Sequence, residues 1–430
     1  MNVLVIGGGG REHAIVRSLS DSPRVDAIHC MPGNGGIAAM ATCHADLSGD
    51  AEALVGFVRK QGIDFTVIGP EQPLVDGIVD VFRANGLPVF GPDALGARIE
   101  GSKVFSKRLM ADYGIPTAAF AEFAEADAAQ AYLDTLPEGP IVVKADGLAA
   151  GKGSVVCRTL DKARAAIDEI MRERIFAEAG SRVVIEEFMT GEEVSIFAIC
   201  DGTDYITLSP AQDFKRALDG DAGKNTGGMG SYAPSIYLMP DLLATARTTV
   251  IEPTLAALAK EGTPYTGVLY CGLMLTPHGP KVIEFNCRFG DPETQVVLPL
   301  LKTDLMEIFL AVHEQRLGKL TPEFHPGSAV CVVLASGGYP DAYEKGMPIE
   351  GLPALEPDTL AFHAGTRREG DTIATSGGRV MAIGRREDTL REAVAATYAE
   401  VGKVRFEGMH FRTDIARRAV KDGAGEPGSR

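Results

Sequence analysis

Short, unbroken apolar runs, each ending in a glycine or proline turn, constrain the fold of this chain more than any other feature. Residues 3–6 run into Gly7-Gly8-Gly9-Gly10, residues 64–68 into Gly69-Pro70-Glu71, and residues 88–90 into Gly91-Pro92. A helical pattern over 12–19 follows the first of them. Strands that are apolar at every position are buried on both faces, and helices between them make the sheet parallel. Residues 1–101 are therefore expected to form a parallel α/β unit. Ligands of such sheets sit at the carboxyl ends of the strands. The glycine-rich turns at 7–10, 32–36 and 69–71 all fall there.

The pattern changes at Gly101-Ser102. Ser102 is an expected N-cap for a helix over 103–113, which Gly114 and Pro116 stop. A small α+β segment over 117–190 follows, with strands at 141–144, 154–158 and 183–188 and a helix over 161–177. The α+β region continues to 320, with hairpin signals at Asp201-Gly202 and Pro277-His278-Gly279. Residues 102–320 are read as one unit carrying 117–190 as a lid. A third α+β unit spans 328–425, with a buried strand at 329–334 and a helix over 389–401, and the tail 423–430 is expected to fray. The stretch 212–230 shows no clear periodicity and is expected to be a long functional loop.

At 430 residues there is chain enough for two to four cores, and 45% hydrophobic with 23% charged residues is the soluble globular range. A net charge of −16 argues against a broad basic face and so against a nucleic-acid binder. It leaves room for phosphate ligands, which a few lysines and backbone N–H groups hold locally. The seven cysteines are scattered without a CxxC pair, which points to buried thiols in a reducing compartment. No basic leader precedes the first strand and no apolar run is long enough to span a membrane, so a cytoplasmic enzyme is expected.

Four elements carry chemistry. The first, Gly7 to Glu12, is a strand–glycine–helix turn that offers N–H groups to a phosphate or sugar. As a dinucleotide fingerprint it fails, because Glu12 replaces the third glycine and no ribose-binding acid follows the next strand. A plain tight turn is the alternative. The second is the strand 141–144 ending in Lys144, followed by a loop through Gly151-Lys152-Gly153-Ser154 into a further strand. A Walker loop would lead into a helix, whereas a glycine loop between two strands is a flap able to fold over phosphates. Lys144 is costly to bury without an anion, and a surface position is its bland alternative.

The third element is Glu186-Glu187-Phe188 with Glu192-Glu193, where acids beside an extended backbone can accept from an adenine amino group and ribose hydroxyls. Solvated hairpin charges fit this pattern nearly as well. The fourth is the stretch from Lys281 to Arg288. Side chains alternate along a strand, so Glu284 and Asn286 project from one face. Magnesium takes hard oxygen ligands, few of them from protein, and phosphates and water complete its octahedron. Arg288 follows on the same side, suited to a developing anion, and 289–294 supplies further polar groups in a turn. Asn is a poor strand former between apolar neighbours, which weighs against a merely exposed face.

The motifs GGGGREHA (7–14), GPEQPL (69–74), KADGLAAGKG (144–153), NTGGMG (225–230) and VIEFNCRFGDPET (282–294) resemble, in order and over essentially the whole chain, the ATP-grasp superfamily. Within it they resemble the phosphoribosylamine–glycine ligase family, the glycinamide ribonucleotide synthetases. The length implies the single-function form. The resemblance implies ATP-driven joining of glycine to 5-phosphoribosylamine through a glycyl phosphate, by a monomer acting on small molecules, with no nucleic-acid or membrane partner. By the same resemblance Lys103 and Lys144 hold ATP phosphates under the flap of Gly151, Lys152, Gly153 and Ser154. Glu186, Glu187 and Phe188 receive adenine, and Glu193 the ribose. Glu284 and Asn286 hold magnesium or manganese. Arg288 steadies the acyl phosphate, with Asp213, Lys215 and Asp291 near the glycine and Asn225 and Gly290 beside them. Gly9, Gly10, Arg11, Asn34 and Glu71 face the phosphoribosyl group. One departure stands out: many ATP-grasp enzymes carry a further acid on the preceding strand, and 268–274 has no carboxylate, so two protein ligands are expected. The rival readings are an ATP-grasp carboxylase or transformylase, an NAD-dependent oxidoreductase, and a nucleotide-binding module without turnover.

Overall fold

The structure is a computed structural model that describes residues 1–422 apart from Ser48, Ala150 and Leu238. The tail 423–430, where fraying is expected, lies outside the described residues. The N-terminal sheet has the order Thr42–Cys43, Ala27–Pro32, Asn2–Gly7, Phe65–Ile68, Val89–Phe90, and every pair is parallel. Its central strand divides its side chains between two cores. Val3 and Val5 pack with Ile15, Val16 and Leu19 of the first helix. Leu4 and Ile6 pack with Leu54, Val58 and Phe82 on the other face. Successive strand residues point to opposite faces, so a strand covered on both sides is apolar throughout.

The segment expected as a lid is a four-stranded antiparallel sheet in the order Phe120–Phe123, Val183–Glu187, Ile141–Ala145, Ser154–Cys157. It has a small core of its own, including Val143, Ile167 and Ile185. The helix expected over 161–177 is shorter. Capped by Thr159, it spans Leu160–Ile167 and gives way to a wider turn at Asp168–Arg172. Arg174 and Ala177 take positive φ, and the chain folds back until Gly180 lies against the Ile170 carbonyl.

A second antiparallel sheet, in the order Tyr205–Thr207, Glu192–Asp201, Thr266–Thr276, Gly279–Asn286, lies beside the lid and contains both expected hairpins. The third sheet corrects the expectation for 212–230. That stretch is not a structureless loop: Gln212–Asp213 and Gly230–Ala233 pair into one antiparallel sheet with Ser328–Ala335, Arg379–Glu387 and Leu360–His363. Between them, Arg216–Leu218 and Ala222–Asn225 form a two-stranded ribbon. Met229 and Tyr232 are fully buried and anchor the stretch. Strands of two to four residues are too short to show a period, so the pairing leaves no trace in the sequence pattern. Helix Leu390–Val401 closes the C-terminal unit, its start fixed by a capping box between Thr389 and Glu392. Among the described residues no helix is long and apolar enough to cross a membrane.

Candidate active site

A cleft of about 1070 Å³ opens where the lid, the second sheet, the N-terminal unit and the C-terminal sheet meet. Helix Lys103–Asp112 forms one wall. Ser102 Oγ caps it by accepting from Phe105 N–H (3.1 Å) and donates to Asp146 Oδ1 (2.9 Å), which also accepts from Val104 N–H (3.1 Å). The helix is thereby bolted to the lid loop. Lys103 and Lys107, four residues apart, share one face and both line the cleft. Burial lowers the pKa of Lys103, against the pull of Glu284, and brings Lys107 down to about 8 against the pull of Glu186.

Glu186 sits between two lysines. Its Oε2 lies 3.0 Å from both Lys107 Nζ and Lys144 Nζ, and all three side chains are buried. Its other oxygen, Oε1, is buried without any hydrogen-bond partner. An unsatisfied buried acceptor costs roughly 1–3 kcal/mol. Glu186 lines the cleft, and a donor such as an exocyclic amino group on a bound base would satisfy that oxygen.

The strand Gly279–Asn286 is not regular where Glu284 and Asn286 sit. Glu284 pairs with Gly272 and Val282 with Leu273, so Ile283 is an extra residue in a bulge. The Ile283 carbonyl, turned out of the ladder, accepts from Lys144 Nζ (2.9 Å). Glu284 and Asn286 both line the cleft while Phe285 between them is buried. Burial alone would raise the Glu284 pKa, but Lys215, Lys144, Lys103 and Arg288 together hold it below the ordinary carboxylate value. With its amide oxygen and nitrogen exchanged, the orientation that satisfies both, Asn286 accepts from Arg288 Nη2 (3.3 Å) and donates to the Phe285 carbonyl (3.2 Å). An ionised carboxylate and an amide oxygen, both open to the cleft, fit a hard divalent cation whose other ligands come from phosphate. Among the described residues no group of three His, Cys, Asp or Glu side chains is placed to hold a metal.

Beyond Glu284 and Asn286, Lys215 Nζ bridges Asp213 Oδ1 (2.9 Å) and Glu193 Oε2 (3.1 Å). Burial, with Glu293 and Glu193 nearby, raises the Asp213 pKa although Lys215 opposes the shift. Toward the N-terminal unit, Arg288 pairs with Glu100 Oε1 (2.8 Å) and Glu71 Oε2 (3.2 Å). Arg11 Nη1 lies 3.8 Å from the same Glu71 oxygen and donates to the Phe289 carbonyl (3.1 Å). Burial would raise the Glu71 pKa, but Arg288 and Arg11 bring it down to about 2.

Of the residues expected at the site, most line this one cleft, including Arg11 and Glu71 from the first unit, Asn225 from the end of the ribbon strand, and Gly290 and Asp291 from the turn after Asn286. Gly9, Gly10, Asn34 and Lys152 are not among the described lining residues. The N-terminal glycine turn is filled by its own helix. Gly9 N–H donates to Glu12 Oε2 (2.6 Å), and a Cβ on Gly7 or Gly69 would come within 2.5 Å of the Glu12 side chain. The residue that spoils the dinucleotide fingerprint therefore occupies the helix N-terminus itself. Asn34 spends its amide on the carbonyls of Gly8 (2.9 Å) and His363 (2.8 Å) and on the N–H groups of Gly36 and Ile37. Lys152 Nζ reaches the Pro340 carbonyl (3.2 Å). The cleft also contains Glu100, Lys107, Glu293 and Arg379, which sequence reasoning missed. Lys107 had a signal in its helical spacing from Lys103, and Glu293 lies in the polar turn at 289–294. Glu100 and Arg379 had none.

Two antiparallel sheets facing a cleft of lysines, with a carboxylate and an amide on one strand beside them, have the architecture of an ATP-grasp ligase. A family model described as the phosphoribosylglycinamide synthetase ATP-grasp (A) domain matches residues 101–294, with the N domain of that family at 1–100 and its C domain at 329–418. The phosphoribosylamine–glycine ligase of Halalkalibacterium halodurans is 49% identical, covering 99% of this chain and 98% of its own. That of a Nostoc species is also 49% identical, over 97% and 99%. The crystal structure of the Thermotoga maritima phosphoribosylamine–glycine ligase superposes with a TM-score of 0.83 at 34% identity, over 97% of this chain and 100% of that one. The biotin carboxylase domain of a Hydrogenobacter thermophilus 2-oxoglutarate carboxylase shares the fold alone, at 15% identity and a TM-score of 0.74. The chain belongs to the phosphoribosylamine–glycine ligase family.

Proposed function

We propose that this cleft joins glycine to 5-phosphoribosylamine while ATP is cleaved to ADP and phosphate, through a glycyl phosphate, as a step of purine synthesis. The observation that carries the reading is the meeting, in one cleft, of the lysines and the Glu284–Asn286 pair with Arg11 and Glu71 of the N-terminal unit. Such a meeting brings a phosphate-handling end within reach of a second substrate.

In this reading Lys103 and Lys144 neutralise the ATP phosphates, and the flap at Gly151, Gly153 and Ser154 excludes water above them. Adenine donates its amino group to Glu186 Oε1. Glu284 and Asn286 would hold magnesium or manganese, which supplies Lewis-acid charge neutralisation between phosphate groups. Arg288 faces the acyl phosphate, oriented by Glu71 and Glu100. The rest of the catalysis is positioning, as in phosphoryl transfer generally. The chain is proposed to work as a monomer in the cytoplasm, on small molecules only.

ADP release is the test, measured with ATP, glycine, ribose 5-phosphate and ammonia, the last two forming phosphoribosylamine in water. Release is expected to require both glycine and the sugar amine. An unchanged rate without glycine sinks the reading, and stimulation by bicarbonate in its place would move the chain toward the carboxylases that share its fold.

A further inference from the structure

Arg379 opens the C-terminal strand Arg379–Glu387, yet its guanidinium lines the cleft. Nη1 donates to the carbonyls of Gly227 (2.6 Å) and Asp291 (2.7 Å), with a longer contact to that of Gly228 (3.4 Å). Nη2 pairs with Asp291 Oδ2 (3.1 Å). One side chain thus holds the glycine-rich loop at 225–230 against the turn at 289–294. The packing leaves no slack. A Cβ on Gly227 would lie 3.0 Å from Arg379 Cζ, and one on Gly228, at φ +113, would lie 2.3 Å from Pro292 Cδ.

Asp291 is where three units converge. Its Oδ1 accepts from Gln295 Nε2 (2.7 Å). Its carboxylate rests against the N-terminal glycine turn, since a Cβ on Gly9 would lie 3.4 Å from Oδ2 and one on Gly10 3.7 Å from Oδ1. Burial alone would raise its pKa, but Arg379 and Arg11 hold it below the ordinary aspartate value. At the other end of the cleft, Lys144 is bound to Glu186 and to the Ile283 carbonyl, and Lys103 to the Gly147 carbonyl.

We propose that Arg379 is a positioning residue for the ligation step: it holds the Asp291 carboxylate as the acceptor for the amine of the incoming amino sugar, making the C-terminal unit part of the active site. The inference rests on the ligase reading above. A planar fork that bonds two carbonyls and a carboxylate at once is a task for arginine, which a lysine ammonium does not reproduce.

The test uses the full-length chain with Arg379→Met, Arg379→Lys, Asp291→Asn and the Met/Asn double variant. Steady-state ADP release gives kcat/KM for the amine formed from ribose 5-phosphate and ammonia, and calorimetry gives ATP affinity without turnover. Arg379→Met is expected to lower kcat/KM for the amine by about tenfold or more and to leave ATP affinity within about twofold, since the displaced group lies at the amine end. Arg379→Lys is expected to recover part of the loss. The double variant should be no worse than the worse single one, because Arg379 acts through Asp291. An amine kcat/KM within about twofold of wild type, a parallel loss of ATP affinity, or additive losses in the double variant would each overturn the proposal. Should Arg379→Met not fold, Arg379→Lys carries the first two criteria. A wild-type chain without glycine-dependent ADP release defeats the ligase reading itself; a normal wild type with unaffected variants defeats only this inference.

Discussion

Glu186 shares one oxygen with two buried lysines and has no protein partner for the other. Two cations on one carboxylate compensate its burial and fix its rotamer, while Oε1 stays buried without a protein donor. Removing one member of a buried ion group exposes the desolvation cost of the others. Lys107→Met is therefore expected to destabilise the protein toward the low end of about 3–5 kcal/mol, because Lys144 still pairs with Glu186. The same change should weaken ATP binding, as the carboxylate loses its fixed orientation. Urea unfolding and calorimetry check the two effects. An unfolding free energy unchanged from wild type would show that the Lys107 contact contributes nothing.

At the scale of single elements, local rules reach a long way. Ser102 was readable as a cap because a hydroxyl before a helical pattern, with Gly114 and Pro116 after it, satisfies the orphan N–H groups at the start. The strand ending in Lys144 and the pair Glu284–Asn286 were equally readable, since alternation along a strand is a property of the backbone. The bulge at Ile283 was not. It arises where Gly272 and Leu273 of the neighbouring strand set the register, and it frees the carbonyl that Lys144 takes. Ser102→Ala is expected to cost about 1 kcal/mol from the cap alone. Some further loss should follow because Asp146, on the lid loop, loses the hydroxyl donor. The shift in urea midpoint measures it, and a variant as stable as wild type would mean that the helix start is held by other contacts.

Across the whole molecule, the N- and C-terminal units meet through a buried histidine pair. His363 backbone N–H donates to His13 Nδ1 (2.8 Å), and the rings lie 5.6 Å apart. Burial, aided by each ring's cationic neighbours, lowers His13 to about 3 and His363 to about 4 from an ordinary 6.5. Both rings are neutral when folded, so the unfolded chain binds more protons below pH 6.5. The stability they contribute is fully present above about pH 6.5 and is lost as pH falls toward their folded values. The expected decline is up to about 1.4 kcal/mol per pH unit for each ring. Urea midpoints between pH 7 and pH 5 test this, and a flat profile there would show that the pair is not buried as a neutral unit in solution.

What the residues determine alone is what neighbours along the chain can enforce: the parallel sheet from unbroken apolar runs, the capped helix, the glycine loop between two strands, and a carboxylate and an amide that face the cleft from one strand. Tertiary structure alone decided which of these became the site. It filled the glycine turn with Glu12 and spent Asn34 on backbone groups. It paired the stretch from 212 to 233 with strands a hundred residues further on, and it brought Arg379 from the C-terminal sheet onto Asp291. Strands of two residues carry no period, and a contact between residues 88 positions apart leaves no local mark. Those choices depend on burial and register between distant segments, which exist only once the chain has folded.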